Sequence, residues 1–116
     1  MATRSYIGIR HTDDKFTYIY CHFDGYPSHV GEILKKFYNT KDKVNELLEL
    51  GDISYFDGET GYANAYHRDM KRDYRGPRTD EHYEVLKDDG VDFIYTFDEM
   101  LWECYNTRTR KYVQGY

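Results

Sequence analysis

Long apolar runs are missing from this 116-residue chain. No stretch approaches the roughly 18 consecutive apolar residues that a membrane helix requires, so no membrane association is expected. The opening run Met1-Ala2-Thr3-Arg4-Ser5-Tyr6-Ile7 lacks the apolar centre of a secretory leader and reads as the lead-in to a strand. Cysteine is scarce. Cys21 and Cys104 are too few for a disulfide framework and are expected as buried thiols in a cytoplasmic protein. Net positive charge is absent as well: at −5 overall, the chain has no general attraction for nucleic acid, which needs a positive field. Gly58, Gly61 and Gly76 fit neither the Walker nor the dinucleotide spacing, so no phosphate-cradling glycine loop is predicted.

What is present is enough to build one core. Apolar residues make up 40% of the chain and aromatics 18%, with 14 tyrosines, while the 32% of charged residues are interspersed. That balance argues for a folded chain forming a single domain over residues 1–116. Charge is segregated all the same. Between Asp80 and Glu103 nine carboxylates face Lys87 alone, a local charge of −8. Between His67 and Arg78 the balance is +3, from Arg68, Lys71, Arg72, Arg75 and Arg78 against Asp69 and Asp73.

Periodicity places the elements. Ser5 to His11 and Lys15 to Phe23 alternate in the period of a strand around the polar turn Thr12-Asp13-Asp14, which predicts an antiparallel hairpin. In its second strand Thr17, Ile19, Cys21 and Phe23 point one way, and Phe16, Tyr18, Tyr20 and His22 the other. Asp24-Gly25-Tyr26-Pro27 stops that strand. Val30, Ile33, Leu34, Phe37 and Tyr38 then fall on one helical face, with Ser28 as N-cap. Thr40 caps a second helix whose apolar stripe is Val44, Leu47 and Leu48 and whose stop is Gly51. Asp52 to Phe56 reads as a short strand, and Asp57 to Arg78 as a long loop of the functional or mobile kind. Glu81 to Lys87 leans to helix. Phe93 to Phe97, Leu101 to Tyr105 and Arg110 to Val113 predict a closing meander. The expected fold class is α+β, a small antiparallel β-sheet with two adjacent helices packed on one face and a tyrosine-rich face left to solvent.

The segments Met1-Ala2-Thr3-Arg4-Ser5, Ile19-Tyr20-Cys21-His22-Phe23-Asp24-Gly25-Tyr26-Pro27, Val30-Gly31 and Gly51-Asp52-Ile53-Ser54 resemble a family of small proteins frequent in bacteriophages and prophages. Its members commonly read Tyr-Cys-His-Trp-Asp-Gly-Tyr at the second strand, where this chain carries Phe23 in place of the tryptophan. Phe93-Ile94-Tyr95 with Leu101-Trp102 resembles the family's closing hairpin, with Glu99-Met100 at a turn that is usually Asp-Gly. The resemblance covers about the first 55 residues well and the middle poorly. It implies no reaction. It implies a context, that of small phage accessory proteins acting on host machinery such as restriction, CRISPR and nucleotide-signalling defences.

Four constellations carry the candidate chemistry. Cys21, His22, Asp24 and His29 are the densest set of potential metal ligands, but neighbours on a strand leave opposite faces and the spacing matches no zinc pattern, so no metal or other cofactor is expected. In this reading Cys21 is core and Asp24 bonds turn amides beside Gly25, while His22, Asp24 and Tyr26 line a surface. The basic segment Arg68, Lys71, Arg72 and Arg75, interleaved with Tyr66 and Tyr74, suits forked phosphate binding with stacking; its bland alternative is a solvated loop paired with acids. Asp88, Asp89 and Asp92, with Tyr83, Phe93, Tyr95, Phe97 and Trp102, can be read as a nucleic-acid-mimicking acidic surface or as ordinary solubility. The tyrosine excess favours recognition.

The function expected first is a phage accessory protein that binds and inhibits a host protein, such as a nucleic-acid-binding defence factor, by occupying its surface. The alternative is a pocket that captures a nucleotide or similar anion, with a homodimer as one form of it. A hydrolase using His22 and Asp24 ranks last, and the reading leans against catalysis.

Overall fold

The computed structural model describes residues 2–98 and 101–116. Strands β1 (Ser5–Arg10) and β2 (Phe16–Cys21) form the antiparallel hairpin that their alternation predicts, in the register Ser5↔Cys21 to Arg10↔Phe16. A π-helical turn, Pro27–Gly31, runs into helix α1 (Glu32–Phe37), and helix α2 (Lys41–Glu49) follows. Pro27 sits at the start of that turn and Tyr26 is its N-cap, with no side-chain cap, so Ser28 does not have the capping role expected of it. Thr40 does cap α2: its hydroxyl accepts from the Lys43 amide at 3.3 Å. Val44, Leu47 and Leu48 are buried, and Gly51 ends the segment at φ +76°.

The chain then returns as β3 (Ile53–Phe56), parallel to β2 through Cys21↔Ile53. Residues 57–78 are not a structureless loop. They supply β4 (Ala63–Ala65), antiparallel to β3, and lead into β5 (Arg78–Asp80), antiparallel to the first half of β2. A 3-10 helix, Tyr83–Asp88, precedes the hairpin of β6 (Phe93–Asp98) and β7 (Leu101–Asn106), and β8 (Lys111–Tyr112) closes the chain. The expectation for the turn at Glu99-Met100 lies outside the described residues.

The expected fold class is overturned. Among the described residues the sheet has eight strands in the order β4-β3-β2-β1-β6-β7-β8, with β5 beside β2, and it is mixed because β1/β6 and β2/β3 are parallel. It is therefore neither small nor wholly antiparallel, and beyond α1 and α2 on one face a 3-10 helix covers part of the other. The physical reason is that α1 and α2 form a crossover, which brings the next strand back in the same direction as β2.

One face buries Ile7, Ile19, Cys21, Ile53, Tyr95 and Phe97 against Val30, Leu34, Val44 and Leu47 of the helical segment. The other face carries the tyrosines of the β1–β2 hairpin, Tyr6, Tyr18 and Tyr20. There Tyr83 and Leu86 of the 3-10 helix cover Phe16, Tyr18, Ile94 and Tyr105. Tyr6 and Tyr20 lie partly buried at the margin of this cover. The tyrosine face is thus only half solvated.

Candidate functional site

Strand β2 changes partner along one edge. Its first half pairs with β5 through Phe16↔Asp80, Thr17↔Thr79 and Tyr18↔Arg78, and its end pairs with β3. At Tyr20, between the two, the Tyr20 amide donates to Asp52 Oδ1 at 3.0 Å. Asp52, 7% exposed, also accepts from Arg78 Nη1 at 3.1 Å and Nη2 at 2.6 Å. One buried carboxylate thereby closes the hydrogen bonding of the split edge and ties β5 to the start of β3, its charge met by a bidentate guanidinium.

A cleft of about 480 Å³ opens at this point, lined by Tyr20, Asp52, Tyr66, His67, Arg72, Asp73 and Arg75. Its wall is held by backbone bonds. The Asp52 amide donates to the Arg75 carbonyl at 2.9 Å, the Tyr66 amide to the Asp52 carbonyl at 3.2 Å and the Arg72 amide to the Tyr66 carbonyl at 2.9 Å. Gly51 is required here, because a Cβ on it would stand 2.3 Å from the Arg75 carbonyl oxygen, and its φ is positive. His67 Nδ1 lies 2.9 Å from the Arg72 carbonyl oxygen. A carbonyl only accepts, so Nδ1 carries the proton and Nε2 is the ring's free polar atom. The Tyr74 ring meets His67 edge-on at 5.2 Å, and its hydroxyl donates to the Glu49 carbonyl at 2.7 Å.

The electrostatics of the cleft follow from which charges are already paired. Among the described residues Arg72 and Arg75 are exposed and make no ion pair, whereas Arg78 is committed to Asp52. Tyr20 Oη lies 2.7 Å from His22 Nδ1. Burial raises the Tyr20 hydroxyl above its ordinary pKa, opposed by the nearby Arg4 charge, so it stays protonated and available to donate.

Of the basic and aromatic residues expected to act together, Tyr66, Arg72 and Arg75 converge on the cleft. Tyr74 buttresses it through His67. Arg68 does not join: it grips Asp69 (2.8 Å), bonds the Ala63 carbonyl (2.6 Å) and lies over the Tyr62 ring. Lys71 occupies a left-handed turn position at φ +54° and lies outside the lining. His22 reaches the cleft only through Tyr20. Asp24 is exposed at φ +54° and makes no bond to His22 or to a turn amide among the described residues, so the His22–Asp24 pair is not assembled. Gly25 serves close approach instead, since its amide donates to the Thr3 carbonyl at 2.8 Å and a Cβ would crowd that oxygen. Tyr26 lies with Asp92 in a separate shallow hollow of about 250 Å³. Among the described residues no cluster of three or more His, Cys, Asp or Glu is placed to hold a metal.

The acidic residues are engaged one by one. Asp88 pairs with Arg110 at 2.9 Å, Asp89 accepts from the Tyr6 hydroxyl, and Asp92 accepts the Arg4 amide at 3.0 Å and pairs with Arg108 at 3.2 Å. Tyr83, Tyr95, Phe97 and Trp102 are core rather than display, with Trp102 Nε1 donating to the Tyr38 carbonyl at 2.8 Å.

Sequence reasoning missed Tyr20, Asp52, His67 and Asp73 as lining residues. His67 and Asp73 adjoin the basic segment and were legible as its neighbours. Asp52 carried no signal, because its role depends on where two distant strands diverge. A larger hollow of about 720 Å³ beside α1 and α2 includes Lys43, Glu46 and Asp57, so its charged groups do not favour an anion. No helix among the described residues is long and apolar enough to cross a membrane. Comparisons with protein-family models, with curated proteins and with solved structures found no match.

Proposed function

We propose that the protein captures a phosphate-bearing ring compound, of the nucleotide class, in the cleft at the split edge of β2. The observation that carries this reading is a pair of exposed arginines, Arg72 and Arg75, without an ion pair among the described residues, that line one cavity with Tyr20, Tyr66 and His67. Guanidinium groups bind phosphate oxygens in a forked geometry, and tyrosine rings give a planar ligand contact area at low entropic cost. The volume suits one small molecule. Cys21 and Cys104 are buried and pushed up to about 12 by desolvation, which leaves them without nucleophilic character at neutral pH. Retention of the ligand rather than its conversion is the corresponding mechanism, and in a phage accessory protein that mechanism would sequester a host signal.

Thermal stabilisation by a panel of ribonucleoside phosphates tests the reading. A rise in Tm that disappears in the Arg72→Ala/Arg75→Ala double variant supports it. An unchanged Tm with every member at millimolar concentration removes it.

A second reading, occupation of a host protein's surface, draws on a different observation. Phe23 and Tyr26 are 44% and 39% exposed at the end of β2, outside the cleft. Side chains of this kind anchor protein interfaces. Phe23→Ala with Tyr26→Ala would abolish capture of such a partner while leaving nucleotide stabilisation intact.

A further inference from the structure

The cleft is not a simple anion trap, because its lining includes two carboxylates. Asp52 is compensated: its oxygens already accept from the Tyr20 amide and from both Arg78 nitrogens, and it is buried behind them. Asp73 differs. It lies between Arg72 and Arg75 in the chain, lines the same cavity, and among the described residues makes no hydrogen bond or ion pair. An ionised carboxylate only accepts hydrogen bonds, and it repels a ligand that brings nothing but negative charge. A ligand that fits this wall therefore carries phosphate for the arginines and hydroxyl donors for Asp73.

We infer that the cleft is selective for ribonucleotides, with Asp73 accepting hydrogen bonds from the ribose 2′,3′-diol while Arg72 and Arg75 hold the phosphate; this rests on the reading above. Two oxygens on one carbon match two vicinal hydroxyls, and acidic side chains read ribose in this way at other nucleotide sites. The ring partner is supplied by Tyr20 and Tyr66. His67 fixes the spacing between the two ends of the ligand, because its Nδ1–H holds the Arg72 carbonyl and so the backbone immediately before Asp73. The inference concerns the sugar, not the base: nothing in the lining distinguishes one planar heterocycle from another.

Isothermal titration with the four ribonucleoside 5′-monophosphates, their 2′-deoxy counterparts and inorganic phosphate tests it. The ribonucleotides should bind about 10-fold tighter than the deoxy series, the effect of one hydrogen bond to a charged group. Asp73→Asn should erase that gap by weakening the ribonucleotides alone, and it should leave inorganic phosphate bound equally well or better. The position is exposed, so the variant is expected to fold as the parent does. Equal affinity for the two series in the parent protein, or a gap that survives Asp73→Asn, overturns the diol assignment while leaving phosphate capture standing. Binding by neither series overturns both.

Discussion

The two faces of the sheet are closed by different means. On the helical side, Val30, Leu34, Val44 and Leu47 meet Ile7, Ile19 and Ile53, all essentially without solvent exposure, and an aliphatic centre is flanked by the buried rings of Phe56, Tyr95, Phe97 and Trp102. On the tyrosine side cover is thinner, and polar ends are tied off individually: Tyr6 to Asp89, Tyr18 to Asp80 at 2.9 Å, and Tyr20 to His22. Aliphatic packing is indifferent to direction and closes a surface wherever volumes fit. Hydroxyl-bearing rings can be left half covered because their tips bond to polar partners or water. The cleft lies where the second kind of cover ends. The most deeply buried packing is on one face, and the cleft proposed for recognition opens on the other.

The sharpest way to break that division is Leu47→Ala. This side chain is 1% exposed in the helical cluster, and its truncation should cost about 3 kcal/mol in urea unfolding. Ribonucleotide affinity, measured where the variant is still folded, should be unchanged, and a large loss of affinity would mean the faces are not independent. Gly51→Ala comes next. It places a methyl against the Arg75 carbonyl at a positive φ, so about 2 kcal/mol of stability should be lost together with most of the binding.

An alkaline titration follows in size. Burial raises both thiols to about 12, and it also raises the Tyr18, Tyr83 and Tyr95 hydroxyls. Groups raised in the folded state contribute fully below their unfolded values, and that contribution fades as the unfolded chain ionises first. Stability should therefore be flat to about pH 8.5 and then fall by on the order of 1 kcal/mol per thiol per pH unit towards 12, with tyrosines adding above pH 10. Denaturant midpoints at pH 7, 9 and 10 check this, and a constant midpoint would mean that the buried groups ionise in place. The smallest effect is expected at Asp88→Asn. Its pair with Arg110 is solvated, so the stability change should stay within about 0.5 kcal/mol, and a larger one would give the acidic segment a structural weight that the geometry does not.

What could be read from the sequence was whatever is local. The α2 helix follows from Thr40, from the stripe Val44, Leu47 and Leu48, and from Gly51, all within twelve residues of one another. The β1–β2 hairpin and the separation of tyrosines from aliphatics across it follow from a period of two. Direction of pairing does not follow, since the same alternation serves parallel and antiparallel neighbours, and this is why β1/β6 and β2/β3 were misread. The three-residue strands β4 and β5 are too short to show any period. At the site, Tyr66, Arg72 and Arg75 were visible as arginines interleaved with aromatics. Tyr20 was visible only as a strand residue, and Asp52 not at all.

That last residue changes what the opening at the sheet's edge requires. Asp52 supplies through its side chain the acceptor that a neighbouring strand would otherwise present to Tyr20, so the aperture is built in during folding and no segment has to swing aside to admit a guest. A receptor shaped in advance loses little conformational freedom on filling. For the proposed capture, entry should be governed by diffusion and by the pull of two arginines, and binding is expected to be fast, salt-sensitive and single-exponential.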